Sequence, residues 1–111
     1  MKYFVKNDKR SGTIYHEFFM GEWDEQTFWS DSSLYLHDDI RVGLELYERV
    51  FSKVFDSYND WGDNRVTKPD WERICEISEG CGGEIKELFD ELRPWAEENF
   101  SKNNEFWILG I

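Results

Sequence analysis

An α+β domain is the fold class this sequence predicts: a small antiparallel sheet from an N-terminal hairpin and a C-terminal strand, with about three helices packed on one face. Three observations lead there. β-formers crowd both ends of the chain, in Tyr3-Phe4-Val5, in Thr13–Met20 and in Phe106-Trp107-Ile108. Between them, apolar residues recur at helical spacing. A chain of 111 residues with no repeat, low-complexity run or Pro/Gly-rich linker makes one domain, residues 1–111.

Taken in order, Lys2–Lys6 is the first strand and ends at the turn-like cluster Asn7–Gly12. Thr13–Met20 is the second, its hairpin partner. Ser33–Leu36 reads equally as a third strand or as the start of the next helix. From Asp39 the period changes, and Ile40, Leu44, Tyr47, Phe51, Val54, Phe55 and Tyr58 form one apolar stripe along a single helix. Asp38 or Asp39 suits its N-cap, where a side-chain oxygen accepts an orphan amide. Gly43, costing ~1 kcal/mol relative to Ala, marks a close crossing against the sheet. After a polar loop, Asn59–Val66, the run Thr67-Lys68-Pro69-Asp70 resembles a capping box with proline in the first turn. The helix it opens carries Trp71, Ile74 and Cys75 and stops at Gly80. A third helix carries Ile85, Leu88, Phe89 and Leu92. Pro94 removes an amide and predicts a kink or restart, although the stripe runs on through Trp95, Ala96 and Phe100. Phe106–Ile111 is too apolar for a loose tail and is assigned as the last strand.

Composition excludes more functions than it suggests. Acids outnumber bases 24 to 13, a net charge of −11. Such a surface disfavours direct contact with nucleic acid or anionic lipid, both of which require Lys and Arg at phosphates. No uncharged apolar stretch approaches the roughly 18 residues of a membrane span. The start, Met1–Lys6, meets a charge too soon for a signal peptide. Two cysteines, Cys75 and Cys81, are too few for a disulfide framework, so both are expected unbridged in a cytoplasmic, reducing compartment.

Catalytic constellations are thin, and the expectation is a protein without catalysis, cofactor or metal. His16 and Glu17 are strand neighbours and point to opposite faces. His37-Asp38-Asp39 reads as solvent-exposed polar residues at a helix start. Cys75 and Cys81 lack CxxC spacing and a nearby histidine. Gly80-Cys81-Gly82-Gly83, flanked by Glu79 and Glu84, is a helix–helix turn rather than a phosphate loop. Residues 59–70 carry the apolar framing of an EF-hand, but Trp61 occupies a ligand position and Asp70 replaces the usual bidentate Glu.

The remaining signal is charge interleaved with large aromatics. Residues 21–40 contain six acids and no Lys or Arg. Glu22, Trp23, Asp24, Glu25, Trp29, Asp31, Asp38 and Asp39 are the candidate partner-binding residues: aromatics as anchors, acids to steer a basic protein. The competing reading makes the aromatics core and the acids a solvated face. A second acidic cluster lies at Glu84, Glu87, Asp90 and Glu91.

Asp70-Trp71-Glu72-Arg73-Ile74, Gly82-Gly83-Glu84, Pro94–Phe100 and the ending Ile108–Ile111 lie in a small, acidic, aromatic-rich chain. In these the chain resembles immunity proteins of bacterial polymorphic toxin systems, including those of contact-dependent growth inhibition. The resemblance covers about the last 45 residues and implies tight binding to a cognate toxin domain, often a nuclease, whose active site it blocks. It transfers no site residues, since such proteins share a role rather than a fold. The alternatives are a DNA-mimic inhibitor, or a degenerate EF-hand-like metal-binding protein using the loop 59–70.

Overall fold

In the computed structural model, which describes residues 1–110, the two ends of the chain meet in one sheet. β5 (Glu105–Leu109) lies between β2 (Tyr15–Met20) and β4 (Asp63–Thr67). Ile111, expected to end the last strand, lies outside the described residues. β3 (Leu34–His37) flanks β2 on its other side, and β1 (Phe4–Val5) forms the far edge. The order is β1-β3-β2-β5-β4, with every neighbouring pair antiparallel. Alternation along each strand sends Phe4, Phe18, Leu36, Val66, Phe106 and Ile108 to one face. There they pack with the helices in the main core, with Phe4 edge-on to Phe18 at 5.2 Å. The chain is an α+β domain, as its sequence predicts.

Both terminal segments join the sheet, but β1 and β2 are not direct partners, because β3 lies between them. Both run antiparallel to β3, so the connection from Lys6 to Ile14 must cross β3. Ser33–Leu36 thus resolves as strand. The helix expected over residues 39–58 is broken. α1 (Asp38–Gly43) stops, Glu45 takes a left-handed φ of 52°, and the chain resumes as a π-helical turn, Tyr47–Phe51, continuing into α2 (Ser52–Val54). The break re-aims the chain so that Leu46, Val50 and Phe51 are buried while Tyr47 faces water. The N-cap of α1 is His37, not Asp38 or Asp39; its Nδ1 accepts from the Asp39 amide at 3.0 Å. Gly43 meets nothing that a Cβ would touch, so no close crossing occurs there.

Residues 63–66, expected within a polar loop, form β4 together with Thr67, and Asn64 and Val66 are its inward side chains. The capping box is present: Thr67 and Asp70 exchange side-chain and backbone bonds at the start of α3 (Lys68–Cys81), with Pro69 in its first turn. Gly82, at φ 64°, separates α3 from α4 (Gly83–Lys102). α4 runs through Pro94 without a restart. Pro94 is on the exposed side, where the freed Asp90 carbonyl can be hydrated instead. Cys75 and Cys81 are free thiols. No helix among the described residues is long and apolar enough to cross a membrane.

Among the described residues the opposite sheet face carries no α-helix, only a 3-10 turn at Asn7–Lys9 in the β1–β2 connection, yet Tyr15, Glu17, Tyr35 and Leu109 are buried on it. Two irregular segments cover it. The β1–β2 connection lays the Arg10 guanidinium 3.8 Å from the Trp29 ring, and Trp29 in turn packs on Tyr35 at 5.7 Å. The second segment, residues 21–33, joins β2 to β3 and contains most of the acids and aromatics singled out in the sequence.

Candidate functional site

Residues 21–33 are pinned from beneath by one buried carboxylate. Glu17, 2% exposed, projects from β2 into the segment. Its Oε1 accepts from the Trp29 amide at 2.7 Å, and its Oε2 accepts from the Ser30 amide at 2.9 Å and the Ser33 hydroxyl at 2.7 Å. The Tyr35 hydroxyl lies between Glu17 Oε2 and the Ser30 carbonyl. Burial, reinforced by the Glu17 charge, pushes its ionisation well above the ordinary tyrosine value. Trp29 itself has a left-handed φ of 63°, a conformation that the bonds to Glu17 help hold.

The segment's tip is built by Asp24. Its carboxylate accepts from the Thr27 hydroxyl and the amides of Thr27 and Gln26, and these bonds hold its pKa down to about 2. Such Asx chemistry favours a tight turn. Within that turn Trp23 Nε1 donates to the Thr27 carbonyl at 2.8 Å. The Trp23 ring meets Phe28 edge-on at 5.4 Å and leans on Trp107 of β5 at 5.8 Å.

Across from this tip stands Trp61, 60% exposed, beside Phe28, 48% exposed. Trp23, Phe28, Trp61 and Asp63, together with Leu109, line a cleft of about 230 Å³. Trp61 is held by backbone contact: the Gly110 amide donates to the Gly62 carbonyl at 2.7 Å, and a Cβ on Gly110 would collide with the Asp60 carbonyl and the Trp61 backbone. Asn59 and Asn64 close the turn, Asn64 bonding both the amide and the carbonyl of Asn59. With Asn64 so engaged, Asp70 in its capping box and residues 63–67 in the sheet, the segment 59–70 is not the loop that an EF-hand requires.

The eight sequence-derived residues therefore separate into three groups. Trp23, Asp24 and Glu25 sit at the tip by the cleft, with Glu22 exposed just before it. Trp29 and Asp31 lie at the other end of the segment, where Asn7 Nδ2 donates to Asp31 and to the Trp29 carbonyl, both at 2.9 Å. Asp38 and Asp39 are on α1. Asp39 is exposed, but Asp38 is inside a polar network and not among solvated helix-start residues. Its Oδ1 accepts from His16 Nε2 at 2.8 Å and Arg41 Nε at 2.9 Å, and Arg41 also bonds Asp60 at 2.8 Å.

Burial and pairing set the charge of each member of the network. Burial lowers the His16 pKa despite Asp38, so near neutral pH the ring is an uncharged donor. Burial would raise Asp38, but the His16 and Arg41 bonds outweigh it and hold the carboxyl low. Asp60 is pushed up, mainly by burial, with Arg41 opposing. No nucleophile bonds to this His–Asp pair among the described residues. Cys75, in a larger cleft of about 600 Å³ between α3 and α4, has its thiol pushed up by burial, which disfavours the reactive thiolate.

The second acidic cluster is largely engaged within the fold. Glu91 accepts from the backbone amides of Lys2, Tyr3 and Phe4, tying down β1, and Asp90 pairs with Lys86 at 2.6 Å. Trp61, Asp63, Glu17 and Arg10 build or support the surface although the sequence does not point to them as part of it. A detectable signal existed only for Trp61: a large aromatic inside the polar run Asn59–Asn64, where no helical or strand period requires one. Comparison of the chain with protein families, with curated proteins and with solved structures finds no match.

Proposed function

We propose that this chain is a non-catalytic acidic binding protein that grips a basic protein partner, in the manner of an immunity protein neutralising a cognate toxin domain, through the tip of residues 21–33 and Trp61. One observation carries the reading: Trp61 and Phe28 are exposed at 60% and 48% while held on hydrogen-bonded turns amid acids. Exposed aromatics converging on one cleft mark interaction surfaces, and a ring carried on a fixed backbone has less freedom to lose on docking. The net charge of −11 would steer a basic partner toward it. Blocking a toxin needs only a tight complementary surface and no catalytic group.

The test is protection. The reading frame directly upstream of this gene is expressed under tight control, with and without the protein. Growth arrest relieved by the wild-type chain, with a stable one-to-one complex, supports the reading, and Trp61→Ala with Phe28→Ala should abolish relief while remaining folded. If the neighbouring product is neither toxic nor bound, the immunity reading is wrong.

A further inference from the structure

We propose that the cleft between Trp23, Phe28 and Trp61 is a cation cage that takes an arginine side chain. The assignment rests on the reading of this surface as the docking face for a basic protein and names the group that the face recognises.

The cleft is walled by aromatic rings, whose negative faces attract a cation, and it also carries the carboxylate of Asp63. Asp63 is exposed and forms no ion pair among the described residues, and no Lys or Arg lines the cleft. Asp24 and Glu25 add negative charge from the adjoining tip. The frame of the cage is preformed. Trp23 is fixed by its bond to the Thr27 carbonyl and by packing on Trp107, and the Trp61 backbone is held against Gly110.

The molecule already uses the same recognition internally. Arg10 lies over Trp29 at 3.8 Å, and Arg41 lies 5.6 Å from the Trp61 ring. Arg41 does not repel a second cation strongly, because Asp38 and Asp60 both pair with it. Arginine is favoured over lysine for two reasons: a planar guanidinium stacks on rings, and it sheds its hydration more easily than an ammonium.

The test uses the intact protein with N-acetylarginine amide as probe, N-acetylcitrulline amide as its uncharged isostere and Nα-acetyllysine amide as the competing cation. The tryptophan indole N–H signals are followed by NMR. Saturable shifts at Trp23 and Trp61 are expected with the arginine probe, with Trp29 and Trp95 unmoved. The citrulline probe should not bind. Asp63→Asn and Phe28→Ala, both at exposed positions, should each weaken arginine binding about 2–5-fold, the size of an exposed cation–π or surface charge contribution. Equal binding of arginine and citrulline, or no saturable shift at Trp23 and Trp61, would overturn the cage. Lysine binding as tight as arginine would overturn the arginine assignment. The titration involves no partner protein, so loss of the cage and failure of toxin protection are separate results.

Discussion

Replacing Glu17 with Gln tests whether the acid- and aromatic-bearing segment is held in place from below. The side chain keeps its size and loses its charge and one acceptor. Its amide oxygen would remain at the Oε2 position, which serves the Ser30 amide and the Ser33 hydroxyl. The amide nitrogen must then face the Trp29 N–H, which Oε1 accepts at 2.7 Å, so a hydrogen bond becomes a donor–donor clash. One charge-assisted bond is worth roughly 1.5–3 kcal/mol, and weakening the others brings the expected loss to about 3 kcal/mol. With an unfolding entropy of ~2.1 cal/mol/K per residue over 111 residues, each kcal/mol lowers Tm by about 4 °C, so Tm should fall by roughly 12 °C. Urea denaturation gives the global change, and amide hydrogen exchange at Trp29 and Ser30 shows whether the segment opens first. Glu25→Gln, at an exposed acid, should stay within about 0.5 kcal/mol. If Glu17→Gln also stays within that margin and both amides keep their protection, Glu17 is not the anchor.

Histidine, glycine and surface-charge variants test the rest of the geometry. His16 is held below its ordinary value of 6.5 by burial, so the unfolded chain binds its proton first; stability is fully present above pH 6.5 and is lost as pH falls below it, and His16→Gln should flatten urea-melt stability between about pH 7 and 5. The raised Asp60 has the opposite sign: burial makes the folded chain hold its proton above the ordinary 3.8, so its cost to stability is relieved as pH falls. Gly110→Ala, whose Cβ would strike the backbone of Asp60 and Trp61, should cost about 1–3 kcal/mol in urea melts, whereas Gly80→Ala, helical and unobstructed, should gain roughly 0.4–1 kcal/mol. If the proposed docking face is right, reversing Glu22, Glu25 and Asp63 to Lys should slow association with a basic protein partner about tenfold at low salt, with little change at high salt where charge is screened. Stopped-flow measurement checks it, and an equal effect from Glu84→Lys on α4 would place the docking face elsewhere.

The fold and the make-up of the candidate surface were legible in the sequence wherever the signal is local. The capping box of Thr67 and Asp70 needs only four consecutive residues, and its proline and hydrogen-bonding partners all lie within one turn. The stripe Ile85, Leu88, Phe89, Leu92 and Ala96 declares α4 because every one of them faces the same core. At the site, Trp23 and its neighbouring acids stand out by composition alone, since no Lys or Arg interrupts them.

Tertiary contact decided the rest. A stripe drawn through Leu44 and Tyr47 has valid helical spacing, and only the packing of Leu46 and Val50 in the core shows that the chain must turn at Glu45. Asp63–Thr67 has one large apolar side chain, and its strand character comes from pairing with β5. Asp38 looks like a solvated acid until β2 brings His16 to it. Trp61 is far in sequence from Trp23 and Phe28, and the close approach of Gly110 to Asp60 and Trp61 joins them in one cleft. Periodicity and capping are properties of a few consecutive residues, so the chain states them by itself. Which charges are buried, and which aromatics converge, depends on residues that meet only when the sheet closes.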